Sequence, residues 1–299
     1  MKELIRFSEM IEKQSFEEAA ATDSNEAFPE KTLQKIISSG LLSAAADKKY
    51  GGQNLGLKPG TNQILLMLLK NIGRGNLVMG RVLEGHINAQ ILIGLYGSEK
   101  QKKFFAEDAA SGKLFGVWNT QAGDGTTLSF KHKKHKKAKI GKQKVLFLNG
   151  SKTFATGSGY VSRPLVTAAM PDGSWQMCIV PLDEIMSLSD SSWWHPMGMK
   201  ASRSFKISFL NAPIHKLNIL GKGGDYYSQP AFGGGAIRFA AVQLGGAEKL
   251  LDETKIYLKN LKRTDDPYQN RRIGEMAIAV ESGNQWIAAA AQMIDSNMR

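Results

Sequence analysis

The sequence predicts an α+β protein in which helices come first, short strands follow, and two long helices come last. Three observations carry this. Apolar residues keep helical spacing up to about residue 113; short β-rich segments separated by turn signals begin at Leu114; two long helical stripes follow a glycine-rich stretch from Gly221 to Gly235. The first helix signals are local. Pro29 suits a helix start, Leu33, Ile36 and Ile37 form one stripe, and Gly40 is a stop. Thr61 to Asn71 is apolar nearly all round, which predicts a buried helix. Ser98-Glu99-Lys100-Gln101 matches a capping box whose helix Gly112 can end.

The expected strands are Leu114–Trp118, Val145–Leu148, Lys152–Thr156, Leu165–Met170, Trp175–Val180 and Phe205–Leu210. Asn149-Gly150 between two of them predicts a hairpin, and Pro171-Asp172-Gly173-Ser174 predicts a turn, because Pro fixes φ and Gly tolerates a positive one. Strands of this kind predict an antiparallel β-barrel or sandwich. Ile237, Ala240, Ala241, Leu244, Ala247, Leu251, Thr254 and Leu258 then mark one long helix, with Glu248 off the stripe. Ile273, Ala277, Val280, Ile287, Ala290 and Ile294 mark a second. The expected domains are 1–113, helical; 114–222, β; and 223–299, helical.

Composition excludes several classes. With 42% hydrophobic residues over 299 positions the chain is no disordered segment, and one cysteine, Cys178, excludes a disulfide scaffold. No apolar run is long enough to span a membrane, and the N-terminus is unlike a signal peptide, so the expectation is a cytoplasmic protein. The formal charge of +12 is concentrated. Eight lysines and no acid lie between Lys131 and Lys144, and removing them leaves +4. This run reads as a solvated hairpin or as an anion-binding ribbon. It lacks interleaved aromatics, so no nucleic-acid partner is expected. There is no dinucleotide fingerprint, Walker A loop or nucleophile elbow. His132 and His135 lack a third ligand nearby, so no metal is expected.

Several segments, in order, resemble the acyl-CoA dehydrogenase family of flavoproteins. They are Gly40-Leu41-Leu42 with Lys49-Tyr50-Gly51-Gly52, Leu83-Glu84-Gly85-His86 with Tyr96 to Lys102, and Phe115 to Gln121. Asn149 to Thr156, Gly198-Met199-Lys200-Ala201-Ser202 and Arg238 to Leu251 complete the set. The resemblance runs from about Gly40 to Ala291. It implies an N-terminal helical domain, a central β-domain and a C-terminal helical bundle. That bundle is expected to be incomplete here, because the family has further helices after the second. It implies FAD between the β-domain and the C-terminal helices, and an acyl-CoA or similar thioester substrate of fatty acid metabolism. A flavoprotein electron acceptor and a homo-oligomer, dimer or tetramer, are implied as well.

By position, the resemblance places Thr120 at the flavin ring, Phe154 against the isoalloxazine and Thr156 at its reactive edge. Strand alternation puts Phe154 and Thr156 on one face, and Trp118 and Thr120 likewise, although each aromatic is equally an ordinary core residue. Glu84 falls at the far end of the acyl pocket, or is a surface glutamate of an amphipathic helix. His86 faces elsewhere, as a structural histidine. Thr126 stands near the family's ligand-contacting serine, which this chain lacks. The family's catalytic glutamate has two positions: one lies beyond Arg299, and the other, just before Arg238, is Ile237 here. The expectation is therefore an oxidoreductase on the CH–CH group of an acyl thioester, with low activity. The alternatives are a catalytically silent homologue that binds flavin or acyl ligand, and a flavin monooxygenase on the same scaffold.

Overall fold

A computed structural model describes residues 2–130 and 145–298. The lysine run from Lys131 to Lys144 lies outside the described residues. Five helices come first: α1 (Lys2–Ser24), α2 (Glu30–Ser38), α3 (Asn62–Gly75), α4 (Leu77–Tyr96) and α5 (Glu99–Ala110). Their boundaries follow local chemistry. Gly40 closes α2 with φ +73°, and the Asn76 side chain caps α4 by accepting from the Val78 N–H. Ser98 and Gln101 form the predicted capping box of α5.

Eight strands follow: β1 (Leu114–Trp118), β2 (Gln121–Ser129), β3 (Leu146–Ala155), β4 (Val161–Ala169), β5 (Trp175–Ile179), β6 (Ser187–Asp190), β7 (Phe205–Ile214) and β8 (Ile219–Leu220). They form one sheet in the order β6-β7-β3-β2-β4-β5-β8, with β1 pairing β4 off that path. The sheet is mixed, not wholly antiparallel, because β1 and β2 both run parallel to β4. Residues 171–174 make the predicted turn between β4 and β5.

Asn149-Gly150 does not turn the chain. β3 runs straight through it, and the irregularities lie in its neighbours: β2 has extra residues between Ala122 and Thr126, and β7 has two residues opposite the single Asn149. Gly150 has φ +106°, and a Cβ there would lie 1.9 Å from the Gly125 carbonyl oxygen. Asn149 Oδ1 accepts from the Asn211 N–H at 2.9 Å. The conformational freedom that suits a hairpin is used here to let β3 approach the irregular part of β2 closely.

The last helices are α6 (Ala231–Asn260) and α7 (Pro267–Asn297). The glycine-rich stretch does not end before α6: Gly233, Gly234 and Gly235 are already helical. α6 packs along α3 with backbone nearly touching backbone. A Cβ on Gly245 would lie 2.0 Å from the Lys70 carbonyl oxygen, and one on Gly73 2.3 Å from that of Val242. Lys70 also pairs with Glu248 at 2.9 Å, so Glu248 faces α3 and not open solvent. α7 adds to the same helical layer through Asn284, which accepts from Lys70 at 2.9 Å.

Two buried polar groups fasten the helices to the sheet. His86 of α4 accepts the Phe115 N–H at Nδ1 (3.0 Å), so Nε2 carries the proton donated to the Leu42 carbonyl (2.7 Å). Burial lowers its pKa to about 4, and the ring is neutral. It is the structural histidine the sequence suggested. Arg163 of β4, 1% exposed, holds Asp108 of α5 at 2.7 Å and also pairs with Asp183.

Candidate functional site

α4 lies on β1 so closely that a Cβ on Gly85 would be 3.7 Å from the Val117 nitrogen. α6 passes alongside. Where α4, α6 and the ends of β1 and β3 meet, a cavity of about 570 Å³ opens, within the range of small-molecule sites. Trp118, Thr120, Phe154 and Thr156 all line it from the sheet side, and Glu84 from α4.

The route by which they meet differs from simple alternation. β1 ends at Trp118 and β3 at Ala155. Phe154 has φ +53°, and the Thr156 N–H returns to the Phe154 carbonyl at 2.8 Å, so a tight turn delivers both side chains. Trp118 is 1% exposed, and its Nε1 donates to the Thr156 carbonyl at 3.1 Å, joining the two segments. Phe154, 52% exposed, stands edge-on to Trp193 and Trp194, at 4.9 and 6.1 Å between centroids. Thr156 Oγ1 hydrogen-bonds Ser204, which in turn bonds Ser202 (2.9 and 2.8 Å). The Thr120 hydroxyl has no partner among the described residues. The sheet side therefore offers aromatic faces bordered by hydroxyls, the donor set that a planar, polar-edged ring requires.

Thr126 is not at this site. It is 1% exposed inside the sheet, and its hydroxyl donates to the Thr167 carbonyl at 2.7 Å. As a β-residue of β2 it satisfies the sheet's own backbone, so the ligand contact expected of it does not form. Ile237 packs against the core, whereas Ala231, Gly235, Ala236, Arg238 and Phe239 of α6 face the cavity. A carboxylate at position 237 would be directed away from the cavity.

Glu84 is no surface residue: it is 3% exposed. One carboxylate oxygen accepts from Arg81 and the other from Asn88, and Asn88 Oδ1 accepts from Arg238 Nε. Burial raises the Glu84 carboxyl above the usual carboxylate range, against the pull of Arg81 and Arg238. Burial also lowers Arg238 to about 10, still charged at neutral pH. Arg81 and Asn88 carried no motif in the sequence. The usable signal was spacing, since residues 81, 84 and 88 share a helix face. Behind the sheet-side wall, Lys152 is fully buried, donating to the Asn119 carbonyl at 3.1 Å and to Thr167 Oγ1 at 3.3 Å.

Residues 5–113 match the model of the acyl-CoA dehydrogenase N-terminal domain. The short-chain specific acyl-CoA dehydrogenase of Clostridium acetobutylicum is 25% identical over 92% of this chain and 73% of its own length. Butyryl-CoA dehydrogenase of Megasphaera elsdenii superposes with a TM-score of 0.83 at 18% identity, over all of this chain and 80% of that one. TdsC of Paenibacillus sp. A11-2, a dibenzothiophene monooxygenase solved with FMN and indole, also gives 0.83 at 18%, over 99% of this chain and 77% of that one.

Proposed function

We propose, from the premise that the chain belongs to the acyl-CoA dehydrogenase family, that its cavity seats a flavin and that the protein is a flavin-dependent oxidoreductase acting on an acyl thioester. The observation that carries this is the convergence of Trp118, Thr120, Phe154 and Thr156 on one cavity from two strand ends. Aromatic faces beside a line of hydroxyls fit an isoalloxazine: the rings exclude water, and Thr120, Thr156 and Ser204 supply partners that its polar edge would otherwise lack. FAD is the form expected. A bound flavin would supply a two-electron acceptor for a substrate hydride.

The chain's own groups then determine the rest. An α-proton must go to a base within hydrogen-bond reach. Among the described residues, Glu84 is the only carboxylate on the cavity wall, and Arg81 and Asn88 already donate to both its oxygens. Although burial raises its pKa, a carboxylate held by two donors must give one of them up to take a proton, so dehydrogenation by this chain should be slow. The same observation favours a second reading, oxygen chemistry of the monooxygenase kind, which needs no α-base. We also propose self-association, because α6 and α7 expose Leu250, Ile278, Trp286 and Met293, each more than 60% accessible.

The test is reconstitution with FAD. Quenched flavin fluorescence and a raised unfolding temperature are expected; the absence of both would overturn the flavin reading. Anaerobic saturated acyl-CoA should then bleach the bound flavin slowly, and Glu84→Gln should abolish what bleaching there is. No bleaching, together with an oxygenated product formed when reduced flavin, oxygen and an organic substrate are supplied, one oxygen atom going to the substrate and the other to water, would transfer the protein to the second reading.

A further inference from the structure

The α6 side of the cavity is walled by rings that remain open to it. Phe232 and Phe239 both line the cavity, and each is 43% exposed. They stand seven residues apart on α6, about two turns, and so share a face. Tyr226 and Tyr227 brace Phe232, at 5.6 and 5.5 Å between centroids, and stand edge-on to each other at 5.0 Å. Tyr226 lines the cavity as well. Arg81 lies 4.4 Å from the centroid of the Phe239 ring and covers one of its faces.

Between the two phenylalanines the same helix face carries Gly235 and Ala236, both on the cavity wall. Glycine is among the poorest helix formers, so its place in α6 needs a reason. Its two glycine neighbours meet atoms of the chain: a Cβ on Gly233 would lie 3.0 Å from Gln229 Oε1, and one on Gly234 3.0 Å from a terminal nitrogen of Arg238. A Cβ on Gly235 would meet nothing nearer than Asn88 Nδ2, at 3.9 Å, among the described residues. It would take its space from the cavity. The outcome is a notch with a small-residue floor and a ring at either end. A planar ring set edge-on or offset against those rings gains ring–ring attraction as well as burial, whereas a saturated group of the same size gains burial alone.

We propose that this notch seats an aromatic ring carried by the acyl group, so that the substrate is an arylalkanoyl thioester. This rests on the thioester reading above. The other planar ring in that reading is the isoalloxazine, and the test separates the two.

The test compares 3-phenylpropanoyl-CoA with 3-cyclohexylpropanoyl-CoA, which share a carbon skeleton and differ in the aromaticity of the ring. Both are titrated calorimetrically, without oxygen, into the FAD-reconstituted chain. The phenyl thioester should bind about 10-fold more tightly, as two ring–ring contacts allow. Phe232→Leu and Phe239→Leu should each lower that preference about threefold, and the double variant should abolish it. Gly235→Leu should weaken both thioesters about 10-fold or more by filling the notch, while its unfolding temperature holds or rises, because leucine is the better helix former. Thermal shifts with the two free acids, with and without FAD, run beside this. If neither thioester binds but free 3-phenylpropanoate stabilises the wild type more than the cyclohexyl acid does, and the double variant loses the difference, the ring site stands and the thioester reading falls. The proposal is overturned by equal binding within both pairs, by a phenyl preference that the double variant keeps, or by a Gly235→Leu chain of clearly lower unfolding temperature, which would make that glycine a packing requirement. It is equally overturned if the leucine variants lose FAD affinity and leave the preference intact, since the rings then serve the isoalloxazine.

Discussion

Lys152 gives the sharpest test of how this β-domain is built. Its ammonium is fully buried and has no carboxylate partner among the described residues; it donates to the Asn119 carbonyl and Thr167 Oγ1 and lies 5.8 Å from the Trp175 ring. Burial lowers its pKa from 10.5 to about 8. At 1.36 kcal/mol per unit, keeping it charged in the folded state at neutral pH costs about 3 kcal/mol. Lys152→Met removes that cost and forfeits two hydrogen bonds of about 1 kcal/mol each. The variant should therefore be more stable at pH 7 by about 1 kcal/mol, roughly 2 °C in Tm. The pH dependence is more telling. The unfolded chain keeps the Lys152 proton to above pH 10, whereas the folded chain releases it near 8. Wild-type stability should thus rise by about 1.4 kcal/mol between pH 7 and 9 on this account. Cys178, raised by burial to about 12, acts in the opposite sense as the unfolded thiol ionises around pH 9, by about 0.4 kcal/mol at pH 9 in wild type and variant alike. Urea denaturation at pH 7, 8 and 9 at fixed ionic strength measures both effects. In Lys152→Met the rise should vanish, so that the variant's advantage is gone by pH 9. A variant that is less stable at pH 7 and keeps the wild-type slope would refute the reasoning.

His86 should make the fold acid-sensitive: its folded pKa of about 4 lies below the unfolded 6.5, so about 3 kcal/mol is lost as pH falls from 6.5 to 4. Urea midpoints across that range check it, and a flat profile would contradict the neutral, doubly bonded ring. Gly150→Ala places a Cβ against the Gly125 carbonyl at a positive φ and should cost at least about 2 kcal/mol in the same assay; a neutral substitution would mean that Gly150 is not held against β2 as described. Ile237→Glu should destabilise the chain and add nothing to flavin bleaching, because that side chain packs into the core; restored bleaching would place position 237 at the cavity. Sedimentation at micromolar concentration should find a dimer or tetramer, and a monomer would refute self-association through α6 and α7.

The sequence by itself determined whatever depends on neighbouring residues. Helix caps, the turn at residues 171–174, the stripes of α6 and α7 and the order of helices, strands and helices are set by local geometry and periodicity. Motif order alone brought Trp118, Thr120, Phe154, Thr156 and Glu84 forward together, and the structure brings all of them to one cavity. Tertiary structure decided the rest, because each outcome depended on partners distant in sequence. Asn149-Gly150 stayed inside a strand because β2 and β7 pair on either side of it and take up the register irregularity themselves. Gly233 to Gly235 became helix because α6 needed its first turn at the cavity, with Arg238 folded over Gly234. Thr126 turned inward because the Thr167 carbonyl is there to accept its hydroxyl. Glu84 is buried, and its charge is tied, only because Arg81, Asn88 and Arg238 arrive from two helices. No pattern in one dimension encodes a balance of charge between helices separated by 150 residues; it exists only once they pack.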